Sequence, residues 1–354
     1  MRRLLLLALL VSALTTAAAP AQAGDLYYRT PGDPNSGNIY AVNENGGTPR
    51  VVLNAAEYAA GYTATMTRFN HVGSNGQALL QGELTSADLQ LIYRSSDGKV
   101  VVKPVTRLGG QPLTLFQAPV LAKDDDSFSF RARDGVGRST IWRLNVTVDQ
   151  ALDPAYVPPT NFSDPRLQLL VDDATNGAEN HNHTWSPDGT RMAYLDRWTD
   201  AGGVEWFSIR MKNVADGSVD PLTHPRIVDT AYATGNWTAM LQWSPVSDEI
   251  LNGSKDGGIW ACYADSPGVM TWVARPITTT TKTQTVNERV SYPLWRPDGQ
   301  RVATAYTKLT TTKATGTTTR EQQPAVMSPN GWPVLKLLRT ATTNNQHKPL
   351  GWTP

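Results

Sequence analysis

The stretch from His181 to Asp196 reads HNHTWSPDGTRMAYLD. Its second half joins a tryptophan to a tight Ser-Pro-Asp-Gly turn and an apolar strand, which is the pattern of a β-hairpin. The pattern recurs as LQWSPVSDEILNG from Leu241, as PLWRPDGQRVATAY from Pro293 and in the final PLGWTP. The four tryptophans, Trp185, Trp243, Trp295 and Trp352, lie 58, 52 and 57 residues apart. A period of this size indicates a repeat architecture.

Two weaker copies of the pattern lie in the first half of the chain. HVGSNGQALLQG from His71 places Val72 at the tryptophan position, and VLAKDDDSFSFRA from Val120 places Leu121 there. We call this position the slot, and it has six members: Val72, Leu121, Trp185, Trp243, Trp295 and Trp352. Each repeat predicts four short antiparallel strands, which is the pattern of a β-propeller blade.

The two ends of the chain complement each other. The chain stops just after Trp352, whereas Gly24–Arg29 resembles a second strand and 37–53 a third and a fourth. The sequence therefore predicts an all-β, six-bladed propeller over 24–354. It also predicts that the ring is closed by pairing between the N-terminal strands and the C-terminal strand.

The first 23 residues predict a secretory signal peptide. Arg2 and Arg3 precede an apolar run, and Ala21-Gln22-Ala23 is a cleavage site of the A-x-A type. We therefore expect cleavage after Ala23 and a periplasmic or secreted protein. No later stretch is apolar enough to predict a transmembrane helix.

The composition excludes several classes of protein. Without the two arginines of the leader, 30 basic residues face 31 acidic ones, so the near-neutral chain does not fit a nucleic-acid-binding protein. The single cysteine, Cys262, cannot form an internal disulfide and lies in an apolar strand pattern, which predicts a core residue. We expect a monomer.

The repeats resemble those of TolB-type six-bladed propellers. The resemblance rests on WSPDGTRMAYLD, WRPDGQRVATAY and IYAVNENGGTPRVVL. It implies the fold, but the separate N-terminal α/β domain of TolB proper has no counterpart in this sequence, so TolB's partners are not implied. No hydrolase domain follows the repeats, and no G-x-S-x-G or H-E-x-x-H motif is present.

The repeated tryptophans and aspartates have structural explanations. Because the slot also accepts Val72 and Leu121, we interpret its tryptophans as packing residues rather than sugar-stacking ones. Asp188 and Asp298 each precede a glycine, and an Asp-Gly pair is typical of a tight turn. Both residue types are therefore expected to stabilise the blades.

His181 and His183 are the strongest candidates for a functional site, and an ordered hydrogen-bonding role within the fold is the alternative interpretation of the pair. They lie four and two residues before the slot, and the two-residue period of a strand predicts that they share one face. The residues four before the slot are mostly polar: Arg68, Gln117, His181, Ala239, Ser291 and Lys348. Those two before it are mostly apolar: Asn70, Pro119, His183, Leu241, Pro293 and Leu350. This gradient predicts strands that run from a wet channel mouth into a packed interior.

Two functions follow from this arrangement. Arg68, Gln117, His181, His183 and Lys348 predict a non-catalytic propeller that binds an envelope or extracellular protein, or a small anionic ligand, without a cofactor. The alternative is a metal-dependent polysaccharide lyase or hydrolase with a divalent metal at His181 and His183. Oligogalacturonate lyases are also propellers that bind a metal through an HxH pair with further His and Gln ligands. By that resemblance, Gln346 and His347 are candidates to complete the set, although they belong to a blade across the ring.

Two threonine-rich tracts complete the analysis. Thr278–Thr283 and Lys308–Arg320 carry basic residues and no acidic ones. The second tract falls between strands two and three of its blade and predicts a long exposed loop, with a partner-binding arm as the alternative.

Overall fold

A computed structural model describes residues 24–29, 38–54, 65–72, 77–83, 89–94, 99–108, 117–121, 127–133, 139–172, 179–227, 241–254, 257–337 and 348–352. Within them the strands form six small antiparallel sheets, numbered I to VI in chain order. Sheet I contains β26 (Lys348–Trp352), β1 (Asp25–Arg29), β2 (Ile39–Asn43) and β3 (Arg50–Leu53). Sheet II contains β4 (Thr65–Val72), β5 (Gln77–Glu83), β6 (Leu89–Arg94) and β7 (Val100–Pro104). Sheet III contains β8 (Gln117–Leu121), β9 (Phe128–Arg133), β10 (Ser139–Leu144) and β11 (Leu167–Asp172).

The later sheets are built in the same way, and two of them carry an extra strand. Sheet IV contains β12 (Glu179–Trp185), β13 (Arg191–Thr199), β14 (Glu205–Asn213) and β15 (Val219–Pro221), with β16 (Arg226–Ile227) also paired to β14. Sheet V contains β17 (Gln242–Trp243), β18 (Glu249–Gly253), β19 (Ile259–Tyr263) and β20 (Met270–Ala274). Sheet VI contains β21 (Ile277–Thr280), β22 (Gln284–Trp295), β23 (Val302–Thr312), β24 (Thr318–Ser328) and β25 (Gly331–Lys336).

The sheets are arranged like the blades of a propeller. One strand of each sheet contacts its counterparts in the two neighbouring sheets, in the order β26, β4, β8, β12, β17, β22 and back to β26. We call these six the inner strands. The N-terminal strand β1 pairs with β26, so that Leu26 lies opposite Trp352. The prediction of an all-β chain of small antiparallel sheets in a propeller-like arrangement is confirmed.

The slot residues are buried between sheets. Trp185, Trp243, Trp295, Trp352 and Leu121 are each at most 7% exposed, while the side chain of Val72 lies outside the described part of the chain. Trp243, for example, joins a cluster that links apolar residues of sheets IV and V. The packing interpretation is confirmed for the five described positions.

The Asp-Gly turns are confirmed in the same way. The Asp188 carboxylate accepts hydrogen bonds from the Ser186 hydroxyl at 2.5 Å and from the Thr190 amide at 3.1 Å. Gly189 has a φ of 71°, a conformation that glycine adopts without steric cost. Asp298 likewise accepts from the Gln300 amide at 3.0 Å.

The described residues include one short helix, α1 (Val148–Leu152), between β10 and β11. Thr147 caps it, since its hydroxyl accepts from the Gln150 amide while the Gln150 side chain accepts from the Thr147 amide. The proline-rich segment that follows packs back onto sheet II, where the Tyr156 hydroxyl donates to the Val105 carbonyl at 2.8 Å. The segment between β10 and β11 therefore connects sheet III with sheet II.

The prediction of a long loop at Lys308–Arg320 is wrong. The strands β23 and β24 continue through the tract and leave only a short turn over 313–317. The other tract forms β21 and its turn into β22. Threonine is β-branched and favours strands, but both faces of this part of the sheet meet solvent. The tract therefore lacks the alternation of apolar and polar residues by which a strand is recognised in a sequence.

The prediction that His181 and His183 share a face is also wrong. Residue 182 is a β-bulge with a φ of 24°, so His181 pairs with Leu195 and His183 pairs with the adjacent Tyr194. An extra residue interrupts the two-residue period of the strand. A separation of two residues therefore does not place His181 and His183 on the same face of the strand.

Candidate functional site

The inner-strand candidates lie at corresponding places in their sheets. Gln117, His181 and Lys348 pair with Arg131, Leu195 and Arg29. In each sheet this partner is the fourth residue of the neighbouring strand, when the residue that pairs with the slot is counted as the first. A bulge separates each of them from its slot residue. The three residues are thus at one level of the sheets.

Arg68 differs from these three. It pairs with Gln81, the fifth residue counted from the slot partner, because the bulge of β4 lies beyond it, between Met66 and Arg68. Arg68 therefore does not lie at the level of Gln117, His181 and Lys348, although all four residues stand four positions before a slot residue. The side chains of Arg68, Gln117, His181 and Lys348 lie outside the described part of the chain, as do Gln346, His347 and Ala239.

His183 is the one predicted site residue whose side chain the structure describes. It is fully buried (0% exposed), and its Nε2 lies 2.7 Å from the Ser129 hydroxyl oxygen of sheet III. The same oxygen accepts a hydrogen bond from the Trp185 indole N–H at 2.8 Å and lies 3.2 Å from the Val120 carbonyl. His183 therefore belongs to a hydrogen-bonded contact between sheets III and IV.

Sequence reasoning missed two buried charges in sheets III and IV. Arg131 is 4% exposed, and its guanidinium donates to the Ser139 hydroxyl from Nε at 2.8 Å and from Nη2 at 2.5 Å. Asp196 is 1% exposed and is paired with Arg210 at 2.6 Å. The signal in the sequence was the alternation Ser127, Ser129, Arg131, which puts polar residues on one face of a strand whose other face is apolar. A strand face of this kind predicts buried polar contacts.

No group of three or more histidine, cysteine, aspartate or glutamate residues that could hold a metal occurs within the described ranges. His183 Nε2 is already engaged by Ser129, so this nitrogen would have to leave its partner before it could bind a metal. The metal site at His181 and His183 stays a prediction.

A shallow cavity of about 270 Å³ lies between the turns of sheets IV and V. Arg191 crosses it, pairs with Asp265 at 2.8 Å and lies 5.2 Å from the centre of the Trp243 ring. Hydrogen bonds from Ser186 and Thr190 lower the pKa of the Asp188 carboxyl at its edge to about 2. These contacts hold neighbouring sheets together, and Arg296 and Glu44 form a corresponding pair, at 2.9 Å, between sheets VI and I.

Comparison with known proteins relates the chain to others by fold only. No protein-family model matches it, and no curated protein matches its sequence significantly. Hydrazine synthase from Kuenenia stuttgartiensis superposes with a TM-score of 0.52 at 13% identity, over 94% of this chain and 48% of that one. A proposed 6-phosphogluconolactonase from Bacteroides uniformis gives a TM-score of 0.45 at 12% identity, over 90% and 99% of the two chains. The β-propeller domain of the Trilobed protease from Pyrococcus furiosus gives 0.38 at 9% identity, over 77% and 71%.

These identities carry information about fold and none about activity. The class of protein is defined by the chain's own sheets, whose inner strands contact one another in a cycle, as a β-propeller. Within the described ranges, no helix has the length and apolar character needed to cross a membrane.

Proposed function

We propose that this chain is an exported, six-bladed β-propeller of the TolB-like type that binds a small anionic ligand at its channel mouth and has no catalytic role. The cycle of contacts among the six inner strands and the pairing of β1 with β26 support a closed ring. The basic leader with its A-x-A site supports export and cleavage after Ala23.

One observation carries the binding proposal. The strand register brings Gln117, His181 and Lys348 to the same level on the inner strands of three sheets. Arg68 lies one pairing step farther from the slot on a fourth inner strand, β4. No aspartate or glutamate occupies the position four residues before any slot. A ring of strands that carries arginine, lysine and histidine at one end favours an anion.

Two further observations support a binding role over a catalytic one. His183 is buried in a contact between two sheets, where it stabilises the fold. Cys262 is buried as well, and burial raises the pKa of its thiol to about 12, so it is not a nucleophile at neutral pH. His183 and Cys262 thus have structural roles at these positions.

The test is calorimetric titration of the purified protein with citrate, inorganic phosphate and an acidic peptide. We expect one of these to bind, and we expect Arg68→Ala with Lys348→Ala to weaken binding, while Lys212→Ala on sheet IV serves as the matched control. Binding should strengthen as the pH falls from about 8 to about 6 if His181 gains a proton beside the anion. Binding that ignores both substitutions would exclude an anion site at the mouth.

The same preparation tests the metal-dependent enzyme. Divalent metal that remains at one equivalent after dialysis, together with ligand binding that weakens as the pH falls, would favour the enzyme, because protonated imidazole cannot bind a metal. That result would replace the proposal.

A further inference from the structure

Part of sheet VI is a four-stranded ribbon whose residues are mostly exposed or half-buried. It consists of β21 (Ile277–Thr280) and of residues 284–288, 307–312 and 318–322 of β22, β23 and β24. We call this part the threonine ribbon. One of its cross-strand rows consists entirely of threonine: Thr280, Thr285, Thr311 and Thr318. The ribbon is an ordered piece of sheet, with two faces and an edge.

The tip of the ribbon is fixed by contacts between its two turns. The Lys313 ammonium donates to the Thr281 carbonyl at 2.7 Å, and the Lys313 amide donates to the Thr283 carbonyl at 2.9 Å. Across the strands, the Thr311 and Thr318 hydroxyls lie 2.9 Å apart. These contacts hold the strands in one register, so the edge is preorganised.

The edge strand β21 is open on one side. Every residue of β21 is exposed, Ile277 by 38%, and within the described chain only β22 pairs with it. The Thr281 amide donates to the Gln284 carbonyl at 2.8 Å, which makes this a hydrogen-bonded pair. Because such pairs alternate along an antiparallel ladder, the amides and carbonyls of Thr278 and Thr280 point away from β22.

Natural sheets usually protect an edge of this kind with a charge or a proline. Within Ile277–Thr280 there is neither, although Pro276 and Lys282 flank the strand. The unprotected part is thus limited to four β-favouring residues. Extended peptide segments add to exposed sheet edges of this kind as an extra strand.

Charge indicates which strand would fit. Arg275, Lys282 and Lys313 are exposed around the edge, and residues 275–287 contain no aspartate or glutamate. A second copy of the chain, paired antiparallel with Thr279 opposite Thr279, would bring Lys282 of one copy next to Arg275 of the other at both ends. Like charges at neighbouring positions oppose that pairing, whereas acidic residues would favour it.

We propose that β21 is a docking edge for an extended segment of a partner protein, in which a short β-favouring stretch is flanked by acidic residues. The segment adds antiparallel to β21 and exchanges backbone hydrogen bonds with Thr278 and Thr280, while its acidic flanks face Arg275 and Lys282. This site is separate from the channel mouth and does not depend on the anion site there.

The experiment uses fluorescence anisotropy with the full mature chain. The probe is a labelled peptide of alternating valine and threonine between two pairs of aspartates. The controls are the same peptide with lysine pairs and the same peptide with its alternate amides N-methylated. We expect the aspartate peptide to bind at least about tenfold more tightly than either control, because edge hydrogen bonds and charge both contribute. Equal binding of the three peptides would overturn the proposal.

Variants of the protein locate the site. Thr278→Pro with Thr280→Pro removes the two outward amides and leaves the ladder to β22 intact, so binding should be lost without a change in melting temperature. Thr278→Val with Thr280→Val keeps both amides and should bind normally. Should the proline variant fold poorly, Lys282→Glu weakens binding in a way that the control Lys212→Glu does not.

Two results would contradict this assignment. Unchanged binding by the proline variant and by Lys282→Glu would show that the peptide binds elsewhere. Sedimentation velocity provides the second check, because a dimer of the wild type that is lost in the proline variant would make a second copy the occupant. Arg68→Ala with Lys348→Ala should leave this peptide's affinity unchanged, which distinguishes failure here from failure of the anion site.

Discussion

Replacing Ser129 by alanine tests the contact that joins sheets III and IV. The hydroxyl is 1% exposed, accepts from the Trp185 indole at 2.8 Å and lies 2.7 Å from His183 Nε2. Alanine would deprive two buried nitrogens of this partner. Each such loss costs about 1–3 kcal/mol, so we expect the free energy of unfolding to fall by about 2–6 kcal/mol.

Urea denaturation followed by far-UV circular dichroism measures this change, with the exposed Ser328→Ala as the control. A double-mutant cycle with Trp185→Phe assigns the loss to the hydrogen bond, because in the Ser129→Ala background the indole N–H has already lost its acceptor. We expect a coupling free energy of about 1 kcal/mol. A destabilisation below about 0.5 kcal/mol, or strictly additive effects, would show that the contact does not stabilise the pair of sheets.

Three further outcomes follow from the structure. The pKa of Asp188 is depressed from 3.8 to about 2. The ionised carboxylate therefore stabilises the fold above about pH 4, and this stabilisation is lost as the pH falls through 2. Asp188→Asn should flatten an acid-denaturation curve between these two pH values. The Cys262 thiol, with its pKa raised to about 12 by burial, should react with a thiol reagent only in denaturant, and fast labelling of the native protein would contradict its burial. Trp352→Ala should cost about 3–5 kcal/mol, because it empties a buried position on β26, the strand that pairs with β1. A melting temperature within a degree or two of the wild type would argue against that pairing.

The repeated hairpins could be predicted because both of their signals are local. The turns need Asp-Gly at fixed places, and the buried tryptophan recurs at a fixed spacing, so inspection of Trp185–Gly189 is enough to find a repeat unit. The candidate site could be predicted only in part. The spacing between His181 and the slot can be read from one segment of the sequence. The bulge at Asn182 depends on how the inner strand meets its neighbours, and no pattern of residues predicts it.

The polar partners of the slot show the same limit. Trp185 donates its indole N–H to Ser129 of another sheet, Trp243 donates to the Ser247 carbonyl of its own turn, and Trp352 donates to the Leu294 carbonyl of the preceding sheet. One residue type at one repeat position thus has three kinds of partner. For Trp185 and Trp352 the partner belongs to a neighbouring sheet, so the residue type at the repeat position does not determine it.

The sequence by itself determined the all-β class, the length of the repeat, the turns and the buried slot, since these depend on residue type and on spacings within one unit. Only the tertiary structure decided that the threonine tracts continue two strands into a ribbon with an open edge, and that His183 faces Ser129 across two sheets. Pairing between strands distant in sequence and packing between neighbouring sheets fix those features. Both are interactions between segments that are distant in the sequence, so they cannot be predicted from the residues of one segment alone.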